Sequence, residues 1–130
     1  MKYCPCGLPQ SYDECCGIFI KGTAQAPNPE ALMRSRYTAY TKANIDYIIR
    51  TMKSPASDGY DSVSSRRWAK SVVWIKLDVL YVQQLSPTIA TVEFCAYFYV
   101  KDEKQMIHEI STFALERERW YYASGLQPTN

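Results

Sequence analysis

With 130 residues, 47% of them hydrophobic and 22% charged, the chain is sized and composed for one folded domain, which excludes a multidomain machine and a disordered segment. Fifteen Lys+Arg against thirteen Asp+Glu leave a formal charge of +2 with no long run of either sign, which disfavours nucleic-acid or ribosome binding driven by electrostatics. Five cysteines and eleven tyrosines are the two unusual counts.

No run of about 18 apolar residues is available to span a bilayer, and Met1-Lys2-Tyr3-Cys4 lacks the apolar stretch of a secretion signal. The expected location is therefore the cytoplasm. In that reducing compartment clustered cysteines hold metal more readily than they form disulfides.

Residues 1–22 read as a cysteine-rich head with no core of its own, punctuated by Pro5, Gly7, Pro9, Gly17 and Gly22. Cys4-Pro5-Cys6, eight residues, then Cys15-Cys16 supply four thiolates, the number that closes a tetrahedral zinc site. A closed shell leaves no position for a reactive water, so one structural zinc is expected, its binding energy serving to fold the head.

Residues 23–130 carry the periodic patterns of a second domain. Asn28 can cap a helix whose first position suits Pro29 and whose positive end suits Glu30, giving a helix to about Thr41. Asn44 caps a second helix through Arg50, which ends before the loop from Ser54 to Gly59. A third short helix runs from Ser62 to about Lys70. After residue 72 branched and aromatic residues alternate with polar ones, predicting strands over 73–82, 88–100, 105–115 and 119–126. Charged turns at Lys101-Asp102-Glu103-Lys104 and Glu116-Arg117-Glu118 join the last three into an antiparallel meander. Helices followed by a meander give an α+β class in which a curved antiparallel sheet covers its helices.

On the first helix of the body, Leu32, Arg36, Tyr40, Met33 and Tyr37 fall within an arc of about 140° at 100° per residue, with Arg34 outside it. A guanidinium on an apolar face requires a carboxylate or several carbonyls. Glu93 and Glu109 are the sheet candidates. Glu109, Ser111 and Phe113 alternate onto one face of their strand and His108 and Ile110 onto the other, which predicts an Arg36–Glu109 pair beside Ser111. His108, the one histidine, has the chemistry of a general base but reads first as a packing or surface residue. Cys95 reads as a small buried hydrophobe, and Arg66-Arg67 with Trp68 as a solvated basic pair rather than a phosphate contact.

The head resembles the SEC-C element, Cys-x-Cys, eight residues, then Cys-Cys or Cys-His, with Tyr12 at its aromatic position and Leu8-Pro9 where Ser-Gly is usual. Together with Leu32-Met33-Arg34-Ser35-Arg36-Tyr37-Thr38-Ala39-Tyr40, Asp46-Tyr47-Ile48-Ile49-Arg50-Thr51, Val92-Glu93-Phe94, Glu109-Ile110-Ser111-Thr112-Phe113 and Trp120-Tyr121-Tyr122, it makes the chain similar to the YchJ family from residue 4 to about residue 128. That resemblance implies a nuclear-transport-factor-2-like body, a cone of helices closed by a curved sheet, in a fold that often dimerises through its sheet. Some relatives carry a second cysteine element at the C-terminus, which residues 127–130 lack, so a role that needs two knuckles is not expected.

Two functions follow as expectations. The first is a non-enzymatic binding or adaptor protein whose knuckle contacts a protein partner; SEC-C elements resemble the zinc-binding tail of a protein-translocation motor, and no catalytic signature is present. The second is a cone pocket for a small ligand, formed by Arg36, Tyr37, Tyr40, Trp74, Glu93, Tyr97, Glu109 and Ser111, with His108 as an added base.

Overall fold

A computed structural model describes residues 2–128 of the chain; Met1, Thr129 and Asn130, the ends of the two expected domains, lie outside the described residues. Capping places the helices where the sequence predicts them. Asn28 Oδ1 accepts from the Ala31 amide at 2.8 Å and opens α2 (Pro29–Thr41), whereas Asn44 Oδ1 accepts from the Tyr47 amide and opens α3 (Ile45–Arg50). Ala43 turns the chain between them at φ 53°. Asp61 caps α4 (Ser62–Ser71) with bonds to the Val63 and Ser64 amides. Two elements of the head escaped the sequence reading because its turn formers masked them: a 3-10 turn, Tyr12–Glu14, and the short α1 (Cys16–Ile20).

The four strands β1 (Val73–Ser86), β2 (Ile89–Val100), β3 (Glu103–Glu116) and β4 (Arg119–Leu126) pair in chain order as an antiparallel meander. Strands extend further into the charged turns than predicted: two-residue turns Lys101-Asp102 and Arg117-Glu118 suffice, because Lys101, Arg117 and Glu118 accept positive φ. Register shifts after Trp74, Val79 and Gln84 in β1, and at Thr112/Phe113 between β3 and β4, coil the sheet around the helices. The chain leaving α3 runs along the free edge of β4, where Met52 bridges Tyr122 and the Lys53 amide donates to the Tyr122 carbonyl, so that edge is covered.

One buried cluster joins the head to the body. Cys4, Cys6, Cys15, Cys16 and Ile20 pack with Leu32, Met33, Tyr37 and Ile48 of the helices and with Leu77, Val92, Phe94, Ala96 and Phe113 of the sheet's inner face. Helix α2 lies at the centre, which explains why eight of its thirteen residues are buried. Among the described residues no helix is long and apolar enough to cross a membrane.

Candidate functional site

The cysteine centre is assembled by two turns. Cys4 and Cys6 flank Pro5 on a turn closed by the Gly7 amide donating to the Cys4 carbonyl, and Gly7 sits at φ 97°, where a side chain would be strained. Cys15 lies at the joint between the 3-10 turn and α1, and Cys16 is the first residue of α1, so two adjacent side chains reach one point. Gly17 keeps that joint tight: a methyl group there would come within 2.7 Å of the Tyr12 carbonyl oxygen.

All four sulfurs are buried and lie within 4.8 Å of one another, close enough to hold one metal ion. Cys6 Sγ and Cys15 Sγ stand 3.7 Å apart, far beyond a disulfide bond and close to the ~3.8 Å edge of a tetrahedron with metal–sulfur bonds near 2.3 Å. Burial and the neighbouring Cys6 charge push the Cys15 thiol up to about 12. Hydrogen bonding to Cys4 and Cys6, with burial, pushes Cys16 up as well, while the bonds that Cys4 receives from Cys16 and Cys6 pull it down. Four thiolates this close need a cation before all can ionise, and no histidine or carboxylate belongs to the cluster.

Helix α2 supports this centre through a face the sequence reading passed over. Arg34 Nη1 donates to the Cys6 carbonyl at 2.7 Å while its Nε donates to Glu30. Thr38 Oγ1 lies 3.7 Å from Cys4 Sγ, and Lys42 Nζ stands 4.1 Å from the centroid of the Tyr12 ring. Arg34 and Thr38, with Lys42 at the C-cap just past the helix, recur at i, i+4 and i+8, a stripe that was legible as a second face of α2.

The opposite side of α2 faces a cavity of about 180 Å³ inside the cone. Tyr37, Tyr40, Trp68 and Trp74 form aromatic walls, with Tyr37–Trp74 and Trp68–Trp74 ring centroids 5.6 and 5.3 Å apart in edge-to-face contact. Burial pushes the Tyr37 phenol up to about 12. Glu109 Oε2 accepts from Ser111 Oγ at 2.6 Å and from the Tyr122 hydroxyl at 3.0 Å, which makes a polar patch in an apolar enclosure. Gly125 makes room for that patch, because a methyl group on it would overlap both Glu109 Oε2 and the Tyr122 hydroxyl.

Six of the eight expected pocket residues, Arg36, Tyr37, Tyr40, Trp74, Glu109 and Ser111, line the cavity. The predicted Arg36–Glu109 pair does not form. Arg36 Nη1 instead donates to the Ile48 carbonyl at 2.9 Å and to Thr51 Oγ1 at 2.7 Å, and its guanidinium lies 4.6 Å from the centroid of the Tyr122 ring. Tyr122 thus offers its ring to Arg36 and its hydroxyl to Glu109, linking the two charges without contact between them. Glu93 and Tyr97 are not in the cavity, since they alternate with the inward Phe94 and Ala96 and face outward. His108 also faces outward, with its Nε2 2.6 Å from Glu93 Oε2, so it offers the cavity no base. Cys95 is buried, as expected of a small hydrophobe. Met33, Trp68, Phe94, Ala96, Ile107 and Tyr122 were missed, although the last four lie on inward positions that strand alternation reveals.

A family model described as the YchJ, middle NTF2-like domain matches residues 28–125. The chain is 38% identical over 124 residues to a UPF0225 protein of Bordetella pertussis, an alignment covering 94% of this chain and 90% of that one. The solution structure of a SEC-C motif-containing protein from Rhodopseudomonas palustris superposes with a TM-score of 0.90 at 37% identity, over 98% of this chain and all of that one. A crystal structure of a SEC-C motif-containing protein from Psychrobacter arcticus gives 0.85 at 30% identity, over 100% of this chain and 85% of that one.

Proposed function

With the chain a member of the YchJ family, we propose that it binds a small molecule in the cone cavity and that its cysteine head holds one structural zinc ion. The observation that carries the binding reading is the cavity itself: a half-open volume of about 180 Å³ between the helices and the inner face of the sheet, walled by aromatic rings and supplied with a hydrogen-bonded carboxylate. Interiors that serve only stability are close-packed and apolar, so an open volume with a few convergent polar groups is the signature of a ligand site. Titration with single-ring compounds tests this, followed by amide chemical shifts. Shifts gathered on α2, β2 and β3, abolished by filling the wall with Ala96→Leu, support the reading; absence of saturable binding across the panel overturns it.

Zinc is favoured by the ligand set, four sulfurs at tetrahedral spacing with no oxygen donor. Elemental analysis of the purified protein should give one zinc per chain, and cobalt(II) substitution should give the absorption bands of a tetrahedral tetrathiolate site. Burial of all four cysteines in the common core supports a staple that fastens residues 2–22 to α2.

A second reading, contact with a protein partner beside the knuckle, is favoured by a groove of about 210 Å³ between the head and β4, lined by Arg50, Arg119, Trp120 and Tyr121 and containing no carboxylate. Arg119→Ala, with Arg50 kept because its Nη2 holds the Ile20 carbonyl at 2.7 Å, would then weaken capture of an acidic partner by the metal-loaded protein.

A further inference from the structure

The cavity presents an arginine whose bonding is half spent. Arg36 is 5% exposed, yet its protein partners are neutral: the Ile48 carbonyl and the Thr51 hydroxyl, both taken by Nη1, and the ring of Tyr122. Nε and Nη2 have no hydrogen-bond partner among the described residues, which leaves three N–H groups of a buried cation unpaired. Among the described residues no buried side-chain nitrogen or oxygen is both sealed from open volume and unpartnered, so these two nitrogens open onto space. The space that Arg36 lines is the cone cavity.

Nε–H and one Nη2–H of a guanidinium point the same way, a fork that matches the two oxygens of a carboxylate. A buried cation without a counter-charge is costly, and an anion arriving on that fork removes the cost. Glu109 does not do so, because its Oε2 is turned to Ser111 and Tyr122. Its Oε1 has no protein donor among the described residues, so the cavity also holds an acceptor in search of a donor. The walls between are aromatic and flat, and about 180 Å³ slightly exceeds the ~150 Å³ that accommodates a benzene ring in an engineered protein cavity.

Resting on the cone-binding reading above, we infer that the cavity takes a small monocarboxylate of single-ring size bearing a hydroxyl or amino donor, with its carboxylate on the Nε/Nη2 edge of Arg36 and its donor on Glu109. Inorganic phosphate fits the fork but leaves Tyr37, Tyr40 and the two tryptophans uncovered, so the ring-bearing acid is favoured over a bare anion.

The test compares 4-hydroxybenzoate with 4-hydroxybenzamide, and adds inorganic phosphate, on the unmodified metal-loaded protein by calorimetry and amide shifts. A charge-assisted bidentate contact predicts that the acid binds at least about tenfold tighter than the amide, with shifts centred on Arg36, Ile48 and Tyr122. Equal affinity of acid and amide overturns the carboxylate assignment while leaving the cone-binding reading intact. Failure of acid, amide and other single-ring compounds alike overturns both, and tighter binding of phosphate than of the acid overturns the ring-bearing class. Arg36→Gln, where the variant melts cooperatively, should erase the acid's advantage and spare the amide. Because Arg36 also holds the end of α3, the comparison on the unmodified protein decides the matter if that variant does not fold.

Discussion

Replacing Gly125 by alanine is expected to destabilise the protein, although the residue is exposed and lies in a strand, where an added methyl group ordinarily helps by about 0.5–1 kcal/mol. Its φ is not in the left-handed region, so the backbone tolerates alanine. The obstacle is the space where Tyr122 donates to Glu109 at 3.0 Å. Those side chains can swing aside, so the cost is the charge-assisted hydrogen bond, about 1.5–3 kcal/mol, rather than a fixed clash. Set against the strand gain, a net loss of about 1–2 kcal/mol remains, equivalent to a melting temperature lower by about 3–8 °C at this chain length. Calorimetric melts of Gly125→Ala, Tyr122→Phe and the double variant form a cycle. Once the hydroxyl is gone alanine should cost little, giving a coupling of about 1 kcal/mol or more. A stabilised Gly125→Ala protein, or the same cost with and without the hydroxyl, would refute the reasoning.

Four further outcomes are expected. Chelation of the metal, or Cys6→Ser, should remove several kcal/mol of stability and loosen the body along with the head, because the cysteines share the core of α2 and the sheet; a melt of the body unaffected by chelation contradicts this. Arg34→Ala should leave metal stoichiometry at one but speed metal transfer to a competing chelator, with a stability loss of about 1–2 kcal/mol from the bond to the Cys6 carbonyl. The double swap of Arg36→Glu with Glu109→Arg should recover none of the stability lost in the single variants, since the two do not pair; substantial recovery would show contact between them. Tyr37 ionises near 10 in the unfolded chain and is raised to about 12 by burial, so its stabilising effect is full below pH 10 and falls by about 1.4 kcal/mol per pH unit up to about pH 12. Burial shifts Tyr40 and Tyr122 in the same direction, and urea titrations between pH 8 and 11.5 should show Tyr37→Phe with a shallower alkaline slope.

Local chemistry made much of this molecule legible in its residues. Asn28, Asn44 and Asp61 mark helix starts because an accepting side chain beside orphan amides needs no tertiary context. Alternation along β3 separated Glu109, Ser111 and Phe113 from His108, because side-chain parity is a property of the strand alone. Spacing sufficed for the cysteine quartet, since a chain of eight residues between two pairs can close on one ion.

Opposing surfaces were decided by the tertiary structure. Periodicity placed Arg36 on the apolar side of α2 but could not say what stood across from it, and the answer was a backbone carbonyl and a hydroxyl near the end of α3, groups with no charge pattern to announce them. Trp68, read beside the solvated Arg66-Arg67 pair on a short helix, became a cavity wall only because α4 folds over Trp74 and Phe98. Helix α2 shows the division clearly: sequence determined its limits and which residues share a face, while packing assigned Arg34, Thr38 and Lys42 to the cysteine head and Arg36, Tyr37 and Tyr40 to the cone. A helix buried on both sides has no single apolar stripe, so its two partners become distinct only when the head and the sheet close on it.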